Sequence, residues 1–141
     1  MGAMREDLLT TYGRMPVIRP LPVKPADRRL RGKEPRYQLL NMYRFDDESG
    51  REWTIRPGYV YDGASIPTLI GLTWAATYSK FDPRVMRAAL VHDYFCDTRP
   101  PELNYLQAAD LFHKMLLEDG AGKWKARTMV RAVKMFGPKW E

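Results

Sequence analysis

Residues Ala88–Asp110, AALVHDYFCDTRPPELNYLQAAD, decide the fold that the sequence predicts. Apolar residues recur at helical spacing before Arg99 and again after Asn104. Pro100 and Pro101 separate the two runs, because proline has no N–H group to donate and disfavours helix in the residue before it. The pattern predicts two helices joined by a short loop, with Asn104 as the N-cap of the second helix.

Two polar residues are expected to meet across this helical hairpin. His92 shares the apolar stripe of the first helix, and the spacing of the second run places Asp110 on or beside its buried side. Two helices joined by a short loop are usually antiparallel neighbours, so we expect Asp110 to contact His92. A histidine held by a carboxylate has a fixed tautomer and raised basicity, the arrangement that takes a proton from water.

These residues form a candidate site with two chemical versions. The candidate catalytic residues are His92 as general base, Asp110 as its orienting group, and Asp62. In the second version a divalent metal ion activates the water, with His92, Asp93 and Asp110 as its ligands. His113 is a further candidate ligand, because it follows Asp110 by three residues and shares its side of the helix. The alternative is that these polar groups satisfy one another and stabilise the fold.

The segment YDGASIP, residues 61–67, concentrates turn residues. Asp62-Gly63 favours a tight turn, and Ser65 suits a cap for the helix predicted to follow at 68–77. The structural interpretation is a strand-to-helix junction. The functional interpretation keeps Asp62 at the mouth of a pocket and Ser65 as a binding residue.

The N-terminal part of the sequence is rich in proline and then in arginine. Four prolines between residues 16 and 25 alternate with apolar residues, which favours an extended segment. Arg28, Arg29 and Arg31 follow as a basic cluster and as candidate binding residues. Nucleic acid is a possible partner there, although no recognition motif accompanies the cluster.

Two further patterns complete the predicted elements. Alternating residues on both sides of Asp46–Gly50 predict a β-hairpin with its turn in that segment. A basic amphipathic run from about Lys123 to Phe136 predicts a final helix, with Trp124 on its apolar side.

The fold class is therefore predicted to be α+β. Residues 1–35 are expected to form an extended N-terminal arm, and residues 36–141 a single domain with a small antiparallel sheet and three or four packed helices. The 141 residues, 45% of them hydrophobic, suit a single domain with a real core.

Charge and cysteine content restrict the partners. Lys and Arg number 23 and Asp and Glu 17, a net charge of +6 that favours an acidic partner or surface. Cys96 is the single cysteine and cannot form an internal disulfide, so we expect it to be a small buried apolar residue. No run of 18 apolar residues occurs, so no transmembrane segment is predicted.

The segments YDGASIP, AALVHDY and AADLF, with a closing helix that ends in MFG, resemble a family of small phage and prophage proteins of unknown function. The resemblance extends roughly from Ile55 to Phe136. It implies a phage or prophage origin, and no particular reaction. The positions that match the family's motifs are Asp62, Ser65, Pro67, His92, Asp93, Asp110 and Phe112.

Two functions are expected on this basis. The first is a hydrolase that acts through His-activated or metal-activated water at the His/Asp site. The alternative is a non-catalytic virion component of the tail or neck, or a host-interaction protein, whose partners are other phage or host proteins. In either case we expect synthesis in the host cytoplasm, and the second adds a final location in the virion.

Overall fold

The computed structural model describes residues 10–12, 15–21, 36–61 and 82–141. Its strands are β1 (Thr10–Tyr12), β2 (Ile18–Pro20), β3 (Tyr37–Leu39), β4 (Met42–Asp46), β5 (Glu52–Ile55) and β6 (Val60–Tyr61). Its helices are α1 (Pro83–Thr98), α2 (Tyr105–Glu118) and α3 (Lys123–Phe136). The chain divides into two compact units, Met1–Asp62 and Gly63–Glu141. The α+β class is confirmed.

The first unit contains two three-stranded sheets, with the strand orders β1-β4-β5 and β2-β3-β6. Strands β4 and β5 form the predicted hairpin, in which Asp46 lies opposite Glu52. Strand β1 runs parallel to β4, while β2 and β6 both run antiparallel to β3. The alternation of the sequence is preserved, since every second residue of β4 is buried. The buried side chains of this unit include Tyr37, Leu39, Tyr43, Phe45, Ile55 and Tyr61.

The carboxylate of Asp47 organises the hairpin turn. It accepts hydrogen bonds from the backbone N–H groups of Ser49 and Arg51, from the Ser49 hydroxyl, and from the Trp53 indole N–H at 2.8 Å. Burial raises the pKa of the Asp47 carboxyl, but these hydrogen bonds to the charged form outweigh it and lower the pKa overall. Gly50 adopts a φ of +86°, which closes the turn.

Helix α1 begins and ends where the sequence predicts. Asp82 is its N-cap and accepts a hydrogen bond from the Arg84 N–H at 2.9 Å, with Pro83 as the first helical residue. The helix ends at Thr98, and Arg99 takes the left-handed conformation with a φ of 45°. Two prolines follow directly, so the helix cannot continue.

Helix α2 has the predicted cap at Asn104. The Asn104 side chain accepts from the Gln107 N–H, and the Gln107 side chain accepts from the Asn104 N–H, both at 2.9 Å. This capping box satisfies two N–H groups that the helix leaves open, and such caps stabilise a helix by about 1 kcal/mol. The helix ends at Glu118, and Gly120 follows with a φ of +93°.

The second unit is organised by α2, which packs against both α1 and α3. The C-terminal residues close over the loop between α1 and α2, because the Trp140 indole N–H donates to the Leu103 carbonyl at 2.7 Å. The buried residues of α2 are Ala108, Ala109, Leu111, Phe112, Met115 and Leu116.

Within the described residues the structure contains three helices. The helix predicted at 68–77 lies outside them. The division into an arm at 1–35 and a domain at 36–141 stays a prediction. None of the helices in the described ranges is long and apolar enough to cross a membrane.

Candidate functional site

His92 lies in the middle of α1 and is buried, with 6% of its surface exposed. Its ring centroid lies 5.2 Å from that of Phe112 on α2, and the two ring planes are inclined by 49°. This is the tilted arrangement that aromatic rings prefer. Every residue from 87 to 93 is buried, so His92 sits within the most deeply enclosed part of its helix. The predicted burial of His92 is confirmed.

Among the described residues, a polar neighbour of the His92 ring is the thiol of Cys96, one helical turn further along α1. The Cys96 Sγ atom lies 3.7 Å from Nδ1 and 3.8 Å from Nε2 of His92. Nearly equal distances to the two nitrogens mean that the sulfur is not aligned with either one. The thiol therefore makes a weak contact, which does not fix the imidazole tautomer as a carboxylate would.

Burial keeps both of these groups uncharged. It lowers the pKa of His92 from 6.5 to about 4, because a buried imidazolium loses its hydration. Burial also raises the pKa of the Cys96 thiol to about 12, and the carboxylates of Asp93 and Asp97 add to this effect against the smaller influence of Arg99. At neutral pH the imidazole is neutral and the thiol is protonated, so Cys96 is not poised as a nucleophile. Cys96 is half-buried, not fully enclosed as expected.

Asp110 does not meet His92. Its side chain is 56% exposed and pairs with Lys134 of α3, with 3.1 Å between Nζ and Oδ1. The expected position on the buried side of α2 is corrected, because the helix has two stripes at helical spacing. Leu106, Asp110 and Leu117 lie on the outward stripe, and the stripe that contains Phe112 faces the core. The larger apolar residues of the second stripe indicate in the sequence that this stripe is the buried one.

The candidate metal ligands do not come together. Asp93 is buried and directly follows His92 in the sequence, but the side chains of adjacent helical residues point in different directions. Asp110 is on the outer surface of α2, as is the half-buried His113 one turn later. Among the described residues, no three His, Cys, Asp or Glu side chains are grouped in a way that would hold a metal ion. The described part of the chain therefore offers His92 and Asp93 as the buried polar pair of the predicted site.

The remaining predicted site residues fall outside the described residues. These are Asp62, Ser65 and Pro67 of the YDGASIP segment, together with Arg28, Arg29 and Arg31 of the basic cluster. Their roles stay predictions.

A buried arginine that the sequence analysis missed ties α1 to the end of α2. Arg87 donates from Nη2 to Oε2 of Glu118 at 2.8 Å and from Nε to Oδ2 of Asp119 at 3.0 Å. Its guanidinium is thus paired twice, which a buried charge requires. The signal was present in the acidic pair at the C-terminal end of α2, where the helix dipole disfavours negative charge unless a cation lies nearby.

The described residues thus form two small sheets and three packed helices. The buried residues His92 and Asp93 lie next to each other in the sequence of α1. The family of proteins of unknown function designated DUF1353 matches residues 37–133. The chain belongs to this family. The match begins earlier than the resemblance over 55–136 suggested, and it includes the β-hairpin.

Two curated relatives come from Sinorhizobium fredii, and both are described as uncharacterized. The chain is 32% identical over 106 residues to the protein y4jT, and 31% identical over 109 residues to y4iH. These alignments cover 75% and 74% of the chain, but the chain spans only 30% and 42% of the two relatives. No solved structure gives a significant match.

The lowered pKa of His92 predicts a specific loss of stability in acid. As the pH falls, the unfolded chain binds a proton at His92 near pH 6.5, whereas the folded chain does so only near pH 4. The contribution of neutral His92 is therefore complete above pH 6.5 and is lost between pH 6.5 and 4. The free energy of unfolding should fall by roughly 3 kcal/mol across this window.

Urea unfolding at closely spaced pH values measures this loss, with His92→Phe as the control. The variant should show a much flatter profile between pH 6.5 and 4.5, because Cys96 stays protonated and the lowered pKa values of Asp47 and Asp82 keep these carboxyls charged there. If the free energy of unfolding fell equally with pH in both proteins, the loss of stability in acid could not be assigned to His92.

Proposed function

We propose that this protein is a non-catalytic binding component in which the buried residues His92 and Asp93 stabilise the helical unit. The observation that supports this is the position of the His92 ring, packed on Phe112 inside the hairpin of α1 and α2. The carboxylate expected to orient the ring instead pairs with Lys134 on the outside. A polar side chain that is buried against an aromatic ring contributes to the stability of the fold and is poorly placed to contact a substrate.

The proposal adopts the phage or prophage setting that the sequence motifs imply. The protein would be made in the host cytoplasm and would then act as a virion component of the tail or neck, or as a host-interaction protein. Its net charge of +6 supports binding to acidic surfaces of other phage or host proteins.

The hydrolase hypothesis makes a different demand on His92. A general base works best when its pKa lies near the working pH, and burial lowers the pKa of His92 to about 4. The imidazole would be free of its proton at pH 7 but would be a weak base. The ring also faces Phe112 and a protonated thiol, whereas a hydrolytic base needs a water molecule within hydrogen-bond distance.

Substitution of His92 separates the two functions. His92→Ala should lower the free energy of unfolding by about 2–4 kcal/mol, because it removes a packed ring from the core. His92→Phe should recover most of this loss, to within about 1.5 kcal/mol of the wild type, because it refills the volume. The measurement is urea unfolding at pH 7, with His113→Ala on the surface of α2 as the matched histidine control.

The same proteins are then assayed for hydrolysis of chromogenic esters, phosphoesters and peptidoglycan. The binding proposal predicts no turnover that depends on His92. A wild-type activity that disappears in His92→Ala, in a protein of unchanged stability, would refute the proposal and establish the hydrolase.

The virion assignment is tested in purified particles from an induced lysogen that carries this gene. Quantitative mass spectrometry should find the protein in the particles at a fixed ratio to the tail and neck proteins, because an assembled component is present in a defined copy number. A protein found in the lysate and absent from the particles would exclude the virion role and leave the host-interaction form.

A further inference from the structure

We infer that the outward sides of α2 and α3 form a docking surface for an acidic amphipathic helix of a protein partner. This two-helix face is defined by Leu106, Leu117, Trp124, Arg127, Arg131 and Met135. The inference rests on the proposed binding function, for which it names the surface and the chemistry of the partner.

The outward side of α3 carries the most exposed large apolar side chains of the described residues. Trp124 and Met135 are both 64% exposed. They lie eleven residues apart, about three helical turns, on the same side as the exposed residues Arg127 and Arg131. The prediction that Trp124 lies on the buried side of α3 is wrong. Trp124 lies two helical turns before the exposed Arg131, so both side chains are on the outward side of the helix.

The outward side of α2 borders that of α3. The ion pair between Lys134 and Asp110, at 3.1 Å, joins the two outward sides. Leu106 and Leu117 are exposed by 43% and 41%, again eleven residues apart. The two-helix face thus has exposed apolar residues near the ends of both helices and charged residues between them, as in interfaces that combine apolar contact with polar specificity.

The charge of α3 has one sign. The helix carries five basic residues and no acidic one: Lys123, Lys125, Arg127, Arg131 and Lys134. Two of them, Lys123 and Lys125, lie in the first turn, where the helix dipole favours acidic residues, and Gly122 supplies no side-chain cap there. This placement costs the fold some stability, and it favours attraction of a negatively charged partner.

The composition of the face favours a protein partner over nucleic acid or a membrane. Trp, Met and Arg are enriched in protein interfaces and provide most of their strong contacts. The apolar side of α3, which includes Met129 and Val133, is buried, so that side is not available to a membrane.

In the two curated relatives the matched region is part of a longer protein. The chain spans 30% of y4jT and 42% of y4iH, so in both relatives the matched region is joined to further protein sequence. A surface that binds another protein segment would be useful in that arrangement.

The spacing of the arginines specifies the partner's charges. Arg127 and Arg131 are four residues apart, and side chains at this spacing are neighbours on a helix surface, with about 5–6 Å between their Cβ atoms. Two carboxylates at the same spacing on a partner helix match them. Apolar residues on that helix would then contact Trp124 and Met135. The partner is therefore an amphipathic helix with acidic residues at positions i and i+4.

The experiment selects binders of the full chain from a displayed library of 20-residue helices with mixed Glu, Lys, Leu and Ala. Enriched peptides should carry Glu pairs at i and i+4. In fluorescence anisotropy, Arg127→Glu/Arg131→Glu should weaken their binding by about tenfold or more, and Trp124→Ala by several-fold. The control, Arg51→Glu/Arg56→Glu, makes the same charge change at two exposed arginines of the first unit and should bind like the wild type. Circular dichroism confirms that each variant is folded.

Several results would overturn the inference. These are enriched peptides without acidic pairs, equal losses in the control variant, or no enrichment at all. A 20-base-pair DNA duplex and phosphatidylglycerol vesicles are measured in parallel, and tighter binding of either one through the same arginines would replace the protein partner. Such a failure is distinct from failure of the proposed function, which is decided by the His92 variants.

Discussion

The helical unit depends on the packing of the His92 ring against Phe112 across the hairpin of α1 and α2. Burial favours the neutral imidazole at this position, because the charged form would lose its hydration. The constraint links the stability of the unit to the pH through His92. It also supports our proposal that His92 is part of the core of the helical unit.

Polar groups divide between the interior and the surface of this unit according to their partners. The buried guanidinium of Arg87 has two carboxylates at the end of α2, so its charge is tolerated inside. Asp110 has Lys134 and stays outside. Among the basic residues of α3, Arg127 and Arg131 are exposed on its outward side, where we propose that another molecule binds. The interior thus supplies the rigid support, and the outer sides of α2 and α3 supply the surface through which we propose that the protein acts.

The sequence predicted the elements better than their contacts. The proline pair after α1, the caps at Asp82 and Asn104, and the turn of the hairpin follow from local chemistry, and each was found where predicted. The contact between His92 and Asp110 depended on the rotation of α2 about its axis. Two stripes of that helix have nearly the same spacing, and only packing against α1 and α3 selects the one that contains Phe112. The exposure of Trp124 was missed for the same reason, since amphipathic spacing does not say which residue at the edge of a stripe is covered.

Direct titration of His92 by NMR tests the central claim, that this histidine is a neutral group of the core. The chain has two histidines, so in a His113→Gln variant all imidazole signals of the spectrum come from His92. The account predicts an apparent pKa for His92 near 4, with the ring signals unchanged from pH 8 to about pH 5. A pKa at or above 6.5 in the folded protein would contradict it, because it would show an imidazole that is either open to water or held by a carboxylate, as a catalytic base would be.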